Sequence, residues 1–167
     1  LYVVWEITMK CDQPCQHCGT RAGPARDVEL STEEALEVCD ALGRLGAREV
    51  TLIGGEAYLR KDCAQLIERL ASHGIRPTMQ TGGRAFTTER AKMFKAAGLD
   101  GLGVSVDGPE PVHDIIRGNR GSHAAAIRAL KSAGEAGLVL SANSQINRLT
   151  LPHLGEMADE LIALGVQ

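Results

Sequence analysis

Leu45-Gly46-Ala47-Arg48-Glu49-Val50-Thr51-Leu52-Ile53-Gly54-Gly55-Glu56 carries the phrase from which the fold is read: a helix end, a glycine, a short β-branched run and a glycine pair. Glycine tolerates the left-handed backbone that terminates helices, while valine, threonine and isoleucine favour strands. The same helix-end punctuation recurs at His73-Gly74-Ile75, Ala97-Gly98-Leu99, Ala136-Gly137-Leu138 and Leu164-Gly165-Val166. It implies five successive strand-helix units. Parallel strands need such crossovers, which are almost always right-handed, so the expected fold is α/β, a curved parallel sheet with its helices outside.

Strands are expected from Tyr2 to Thr8, Glu49 to Ile53, about Pro77 to Gln80, Leu102 to Val106 and Leu138 to Ile146. Ser31-Thr32-Glu33-Glu34 starts the first helix, with serine as cap and a glutamate three residues on, and Ala35, Leu36, Val38, Cys39, Leu42 and Leu45 form its buried face. Further helices are expected over Cys63 to Ala71, from Thr87 or Thr88 to Ala97, from Ser122 onward after a polar loop, and from Leu151 to Leu164, where Pro152 suits a first turn. Val166-Gln167 stand where a sixth strand would begin, so residues 1–167 are expected to form one core domain without its closing strand or anything beyond it.

Directly after the first strand comes Cys11-Asp12-Gln13-Pro14-Cys15-Gln16-His17-Cys18. Soft thiolates this close can hold three corners of an iron-sulfur cubane and leave the fourth iron open to a substrate or cofactor. A zinc site with His17 as fourth ligand is the alternative, although zinc modules usually pair two ligand hairpins set well apart in the chain. A disulfide would strand one thiol of the three. Cys39, on an apolar helix face, and Cys63 read as structural.

A chain of 167 residues with 44% hydrophobic content suits one globular domain. Its 18 basic and 21 acidic residues leave a net charge of -3, without the basic field that nucleic-acid binding requires. No run has the length of a membrane span, and clustered free cysteines fit a reducing compartment, so a cytoplasmic location is expected.

In parallel α/β folds the working site gathers at the C-terminal ends of the strands. The cysteine loop, Gly54-Gly55-Glu56, Thr81-Gly82-Gly83 and Asp107-Gly108 follow strands one to four in turn. The glycine pair is expected to let backbone approach a ligand, with Glu56 beside a cationic group. Ser105 and Asp107 alternate toward the mouth. Asn143, Gln145 and Asn147 on strand five, and Glu6 and Thr8 on strand one, are expected to line a polar cavity. His73, His113, His123 and His153 stand singly, with no acid-base couple among them.

On the spacing of Cys11, Cys15 and Cys18, and on Gly54-Gly55-Glu56, the chain resembles the radical S-adenosylmethionine (radical SAM) superfamily over essentially its whole length, with Ala57 where members often have proline. The resemblance implies a partial (β/α)6-type TIM-like barrel, truncated after about five strand-helix units. It implies a [4Fe-4S] cluster on the three cysteines, His17 packed beside it, and S-adenosylmethionine on the open iron with Gly54, Gly55 and Glu56 at its amino group. Thr81, Ser105, Asp107, Arg117 and Asn143 would then surround the cofactor, Arg117 at the methionine carboxylate. By the family mechanism the reduced cluster cleaves S-adenosylmethionine to a 5'-deoxyadenosyl radical that takes hydrogen from a substrate. The electron would come from a reductant such as flavodoxin or ferredoxin. Ser105-Val106-Asp107-Gly108 is similar to a segment of SPASM- or twitch-type peptide maturases, implying a ribosomally made peptide substrate. A cofactor-biosynthesis enzyme acting on a small molecule, and a zinc-binding structural module, are the alternative expectations.

Overall fold

The computed structural model describes residues 1–166; Gln167, within the expected start of a sixth strand, lies outside them. Its strands are β1 (Tyr2–Glu6), β2 (Glu49–Ile53), β3 (Arg76–Thr81), β4 (Gly101–Ser105) and β5 (Val139–Asn143). The helices are α1 (Thr32–Arg44), α2 (Cys63–Ser72), α3 (Thr88–Ala96), α4 (Glu110–Arg117), α5 (Ser122–Glu135) and α6 (Leu154–Ala163), with short 3-10 turns at Ala57–Leu59 and Leu151–His153. The strands form one sheet in the order β1-β2-β3-β4-β5, every neighbour parallel, and β1 and β5 remain unjoined edges.

The punctuating glycines do what the sequence asked of them. Gly46, Gly74, Gly98, Gly137 and Gly165 all have φ between 71° and 103°, a region costly for any residue with a Cβ. At the start of α1 the Ser31 hydroxyl accepts from the Glu34 amide while the Glu34 carboxylate accepts from the Ser31 amide, a reciprocal cap.

The parallel register makes the two sheet faces chemically different. Trp5, Leu52, Met79, Leu102 and Leu140 align across the five strands and enter the helix-covered core, where Leu52, Met79 and Leu102 are fully buried. The alternate residues, on the opposite face, are mostly small or polar, with Tyr2, Val4, Ile53 and Val139 as the exceptions toward the edges. Thr51 and Thr78 bring their hydroxyls to 2.8 Å, the Gln80 side chain lies across Gly103, and Asn143 Nδ2 donates to Gln80 Oε1 at 2.8 Å. Parallel sheets are normally covered on both faces by apolar layers; this one turns a hydrogen-bonding wall to its uncovered side.

Several boundaries differ from expectation: β4 is shifted by one residue, and α6 begins at Leu154 after a 3-10 turn at Leu151–His153. β1 ends at Glu6 rather than Thr8, β5 ends at Asn143 rather than Ile146, and the polar loop before Ser122 contains α4. Pro111 sits in the first turn of α4, where its missing amide costs nothing, and Gly118 closes the helix at φ +62°. Cys39 and Cys63 are buried, and burial pushes their thiols up to about 11 and about 12, as suits structural cysteines. The helix start at Cys63 does not offset that desolvation.

α4 also caps its successor. α5 begins after Gly121, which has no side chain to offer, and Asp114 accepts from the Gly121 amide, from the His123 amide at 2.9 Å and from the Ser122 hydroxyl at 2.9 Å. Asp114→Ala should therefore lower the unfolding free energy by about 1–2 kcal/mol, read as a shift in the urea midpoint at unchanged slope; an unchanged midpoint would mean that water replaces the carboxylate.

Candidate functional site

The segment after β1 folds back on itself before reaching α1. Cys11 N donates to Gly23 O at 2.8 Å and Gly23 N to Met9 O at 3.1 Å, pinching a loop that presents Cys11, Cys15 and Cys18 above the sheet edge. The β2 exit is laid against it, backbone to backbone: Gly55 N donates to Thr8 O at 2.9 Å and Glu56 N to Lys10 O at 2.8 Å. A Cβ at Gly54 would collide with the Thr8 carbonyl, and one at Gly55 with the Lys10 carbonyl. The close approach that these glycines permit includes the β1 exit and the cysteine loop, and both glycines also line the cavity beside it.

Glu56 turns from that junction into the interior, 3% exposed. Its carboxylate accepts from the Thr81 hydroxyl and, at 2.7 Å, from the Gly82 amide, tying the β2 exit to the β3 exit. Burial pushes its carboxyl up to about 7 against the opposing pull of those two bonds. Gln13, which the sequence reading passed over, is buried against Gly82, and its Nε2 has no hydrogen-bond partner among the described residues.

α4 grips the loop from the other side. Ile116 O accepts from the Gln16 amide at 3.2 Å and lies 3.3 Å from His17 Nδ1, and a Cβ at Gly118 would stand 2.9 Å from Pro14 O. Arg117 points inward: Nε donates to Asp107 Oδ2 at 2.7 Å and Nη1 lies 3.8 Å from Cys15 Sγ. Asp107 is fully buried, and its second oxygen accepts from Gln145 N at 2.8 Å. One ion pair thereby joins β4's exit, α4, the cysteine loop and the segment after β5.

All three cysteines, with His17, Gly54, Gly55, Glu56, Thr81, Ser105 and Arg117, line one cavity of about 180 Å³. Asp107 and Asn143 line a neighbouring cavity of about 350 Å³ that shares His17, Cys18, Ser105 and Arg117 with the first. Burial raises the Cys11 thiol to about 11 and raises that of Cys15 despite Arg117. At Cys18 burial is outweighed by hydrogen bonds from Thr20 and the nearby amides, and its thiol is lowered.

These donors suit a group larger than one ion. The one triad of ligand atoms within 4.8 Å of one another among the described residues is Cys11, Asp12 and Glu56; the three thiols do not close to that distance, and the His17 ring is turned to Ile116 O. A tetrahedral zinc would need them closer, whereas separate corners of a cubane would not.

The sequence pattern of the radical SAM superfamily matches residues 5–164. The chain belongs to that superfamily. It is 34% identical over 160 residues to the Fe-coproporphyrin III synthase of Methanosarcina barkeri, covering 95% of the chain and 40% of the relative. It is 30% identical over 166 residues to the mycofactocin maturase MftC of Mycolicibacterium smegmatis, covering 99% and 41%. Streptococcus suis SuiB bound to S-adenosylmethionine superposes with a TM-score of 0.87 at 17% identity, over 100% of the chain and 39% of SuiB; SuiB bound to its precursor peptide SuiA gives 0.86 at 17%, over 99% and 37%. The chain spans about 40% of the length of the curated relatives it matches, and its open five-stranded sheet has the superfamily's barrel-type architecture.

Within this radical SAM chain several expected lining residues have other engagements. Asn147 turns its Oδ1 to the Leu149 and Thr150 amides, 2.8 and 3.3 Å away, and so shapes the turn before α6. Gln145 does line the second cavity, and its backbone amide also donates to Asp107. Thr8 donates to Glu29 at 3.0 Å and Glu6 pairs with Arg26, both below the cysteine loop. Nor do the histidines all stand alone: the rings of His113 and His123 meet edge to face at 5.5 Å, and His123 Nε2 lies 3.1 Å from Glu160 Oε2. His113 Nδ1 accepts from the Asp107 amide at 3.1 Å and so fixes the turn that presents the ion pair. A pair separated by ten residues of loop and helix leaves no local pattern to read.

Burial, aided by the Arg117 charge, pushes the His113 imidazole down to about 4. The unfolded chain takes up this proton near 6.5 and the folded protein only near 4, so the neutral ring's contribution is complete above about pH 6.5 and is lost as pH falls toward 4. Compared with His113→Gln, the wild type should lose up to about 3 kcal/mol more unfolding free energy across that interval. Urea titrations at several pH values measure this, and parallel curves for the two proteins would exclude it.

Proposed function

We propose that residues 1–167 form a radical SAM core in which Cys11, Cys15 and Cys18 hold a [4Fe-4S] cluster and the adjoining cavity takes S-adenosylmethionine. The observation that carries this reading is the convergence of three loop thiols, too far apart for one ion, on a cavity shared with the exits of β2, β3 and β4. With its cofactor, such a cluster supplies a one-electron cleavage that yields a 5'-deoxyadenosyl radical able to abstract hydrogen.

The chain's own residues bind and orient. Glu56 would receive the ammonium of the cofactor's methionine moiety, and a cation there would favour the carboxylate form that burial opposes. Arg117 Nη2 has no hydrogen-bond partner among the described residues, which leaves it for the methionine carboxylate. Asp107 acts on the ligand through Arg117, its own oxygens being occupied. Ser105 and Asn143 offer hydrogen bonds at the cavity mouth, Thr81 holds Glu56, and His17 packs against α4 beside the cluster position.

For the substrate we favour a ribosomally made peptide, hydrogen being taken from it over the uncovered polar face of the sheet. The maturase relatives and the fold of SuiB support this. A small tetrapyrrole-like molecule is the second reading, supported by the synthase relative. The reductant would be a one-electron carrier.

Anaerobic reconstitution with iron and sulfide, followed by electron paramagnetic resonance after dithionite, tests the core of the proposal. The wild type should give a reduced-cluster signal that shifts when S-adenosylmethionine is added, and Cys15→Ala should give none. Stoichiometric zinc uptake without any such signal would sink the reading.

A further inference from the structure

Beside the cysteine loop, on its outer flank, lies a groove that the proposed chemistry leaves unused. Lys10, Tyr58, Lys61, Arg90 and Met93 line it, with a volume of about 370 Å³. Arg84 adjoins it, donating through Nη1 to the Asp12 carbonyl. Lys10, Lys61, Arg84 and Arg90 make no ion pair with any carboxylate among the described residues, although the chain as a whole carries a net charge of -3. Arg84 and Arg90 are held by backbone carbonyls and the Tyr58 ring, while Lys10 and Lys61 make no side-chain hydrogen bond among the described residues and are open to a partner from outside. Met93, 47% exposed, puts an apolar centre inside this basic rim.

The floor of the groove leads inward. Arg90 stacks its guanidinium 4.8 Å from the Tyr58 ring centroid and donates to Ala85 O at 2.6 Å. Tyr58 is buried and donates its hydroxyl to Asp12 Oδ2 at 3.0 Å, one residue from Cys11. Surface cation, aromatic ring, carboxylate and thiol are thus packed in sequence. A small apolar centre with an unpaired charged rim suits a transient, electrostatically steered contact better than a permanent one.

We propose that this groove docks an acidic one-electron carrier protein, and that Tyr58 and Asp12 form the packed route from the docked carrier to the cysteine loop. This rests on the cluster reading given above. One electron leaves the carrier, which is oxidised by one equivalent, and enters the centre at the loop; no proton or group accompanies it.

The test is titration of the protein with an oxidised acidic flavodoxin and, in a parallel arm, an acidic ferredoxin, reading Kd at low and at moderate salt. At least one carrier should bind with a Kd that weakens steeply with salt. Lys61→Glu and Met93→Glu, both at exposed positions, should each weaken that binding by about fivefold or more. Lys131→Glu makes the same charge change as Lys61→Glu at an exposed position of α5 outside the groove and should leave binding unaltered. Equal Kd values for the wild type and both groove variants, an equal loss in Lys131→Glu, or no binding of either carrier would overturn the proposal. Dithionite needs no docking site, so its cluster signal should be the same in every variant. Loss of that signal from the wild type would count against the cluster reading, while Kd would still judge the groove.

Discussion

A guanidinium taken out of water must have its charge and donors answered, or the fold is destabilised by several kcal/mol. Arg117 has its charge answered by Asp107 while Nη2 stays open toward the cavity, and Asp107 meets its own demand with Arg117 and the Gln145 amide. Neither residue can move without exposing the other's charge to an apolar surrounding. Because the pair spans β4, α4 and the segment after β5 while touching Cys15, it sets the distance between the sheet edge and the cysteine loop. The remaining constraints, from Ile116 O, Gly118 and the glycine pair, act on a loop already fixed at that height.

The sheet supplies the complementary requirement. Helices pack on one face only, so every strand must present apolar residues at alternate positions and is free to present polar ones between them. Thr51, Thr78, Gln80 and Asn143 use that freedom. The same alternation brings all the strand exits to one edge, which is why residues far apart in sequence share two adjoining cavities.

Much of this was legible in the chain because its signals are local. A helix-ending glycine, a capping box and three cysteines in one short loop each need only a few neighbouring residues to be recognised. α4 was less legible: Val112, Ile115 and Ile116 stand at i, i+3 and i+4, but the stretch is only eight residues long and Pro109 and Pro111 read as loop. Proline in a first turn with glycine eight residues after Glu110 was the available signal. Gln13 and the contact of His113 with His123 depend on tertiary placement, which no spacing encodes. The glycine pair shows a subtler limit, for its need of close approach was readable but one of its partners, the backbone of another loop, was not.

That last feature bears on how such a chain can change over time. Lys10 and Pro14 meet their neighbours here through main-chain carbonyls, which nearly any residue provides. Side-chain identity at those positions is consequently open to drift without moving the loop, while the glycines opposite them and the buried Asp107 and Arg117 are not interchangeable. A centre assembled largely from peptide groups can therefore keep its shape as its sequence diverges, and distant lineages can vary the walls around it for different chemical tasks.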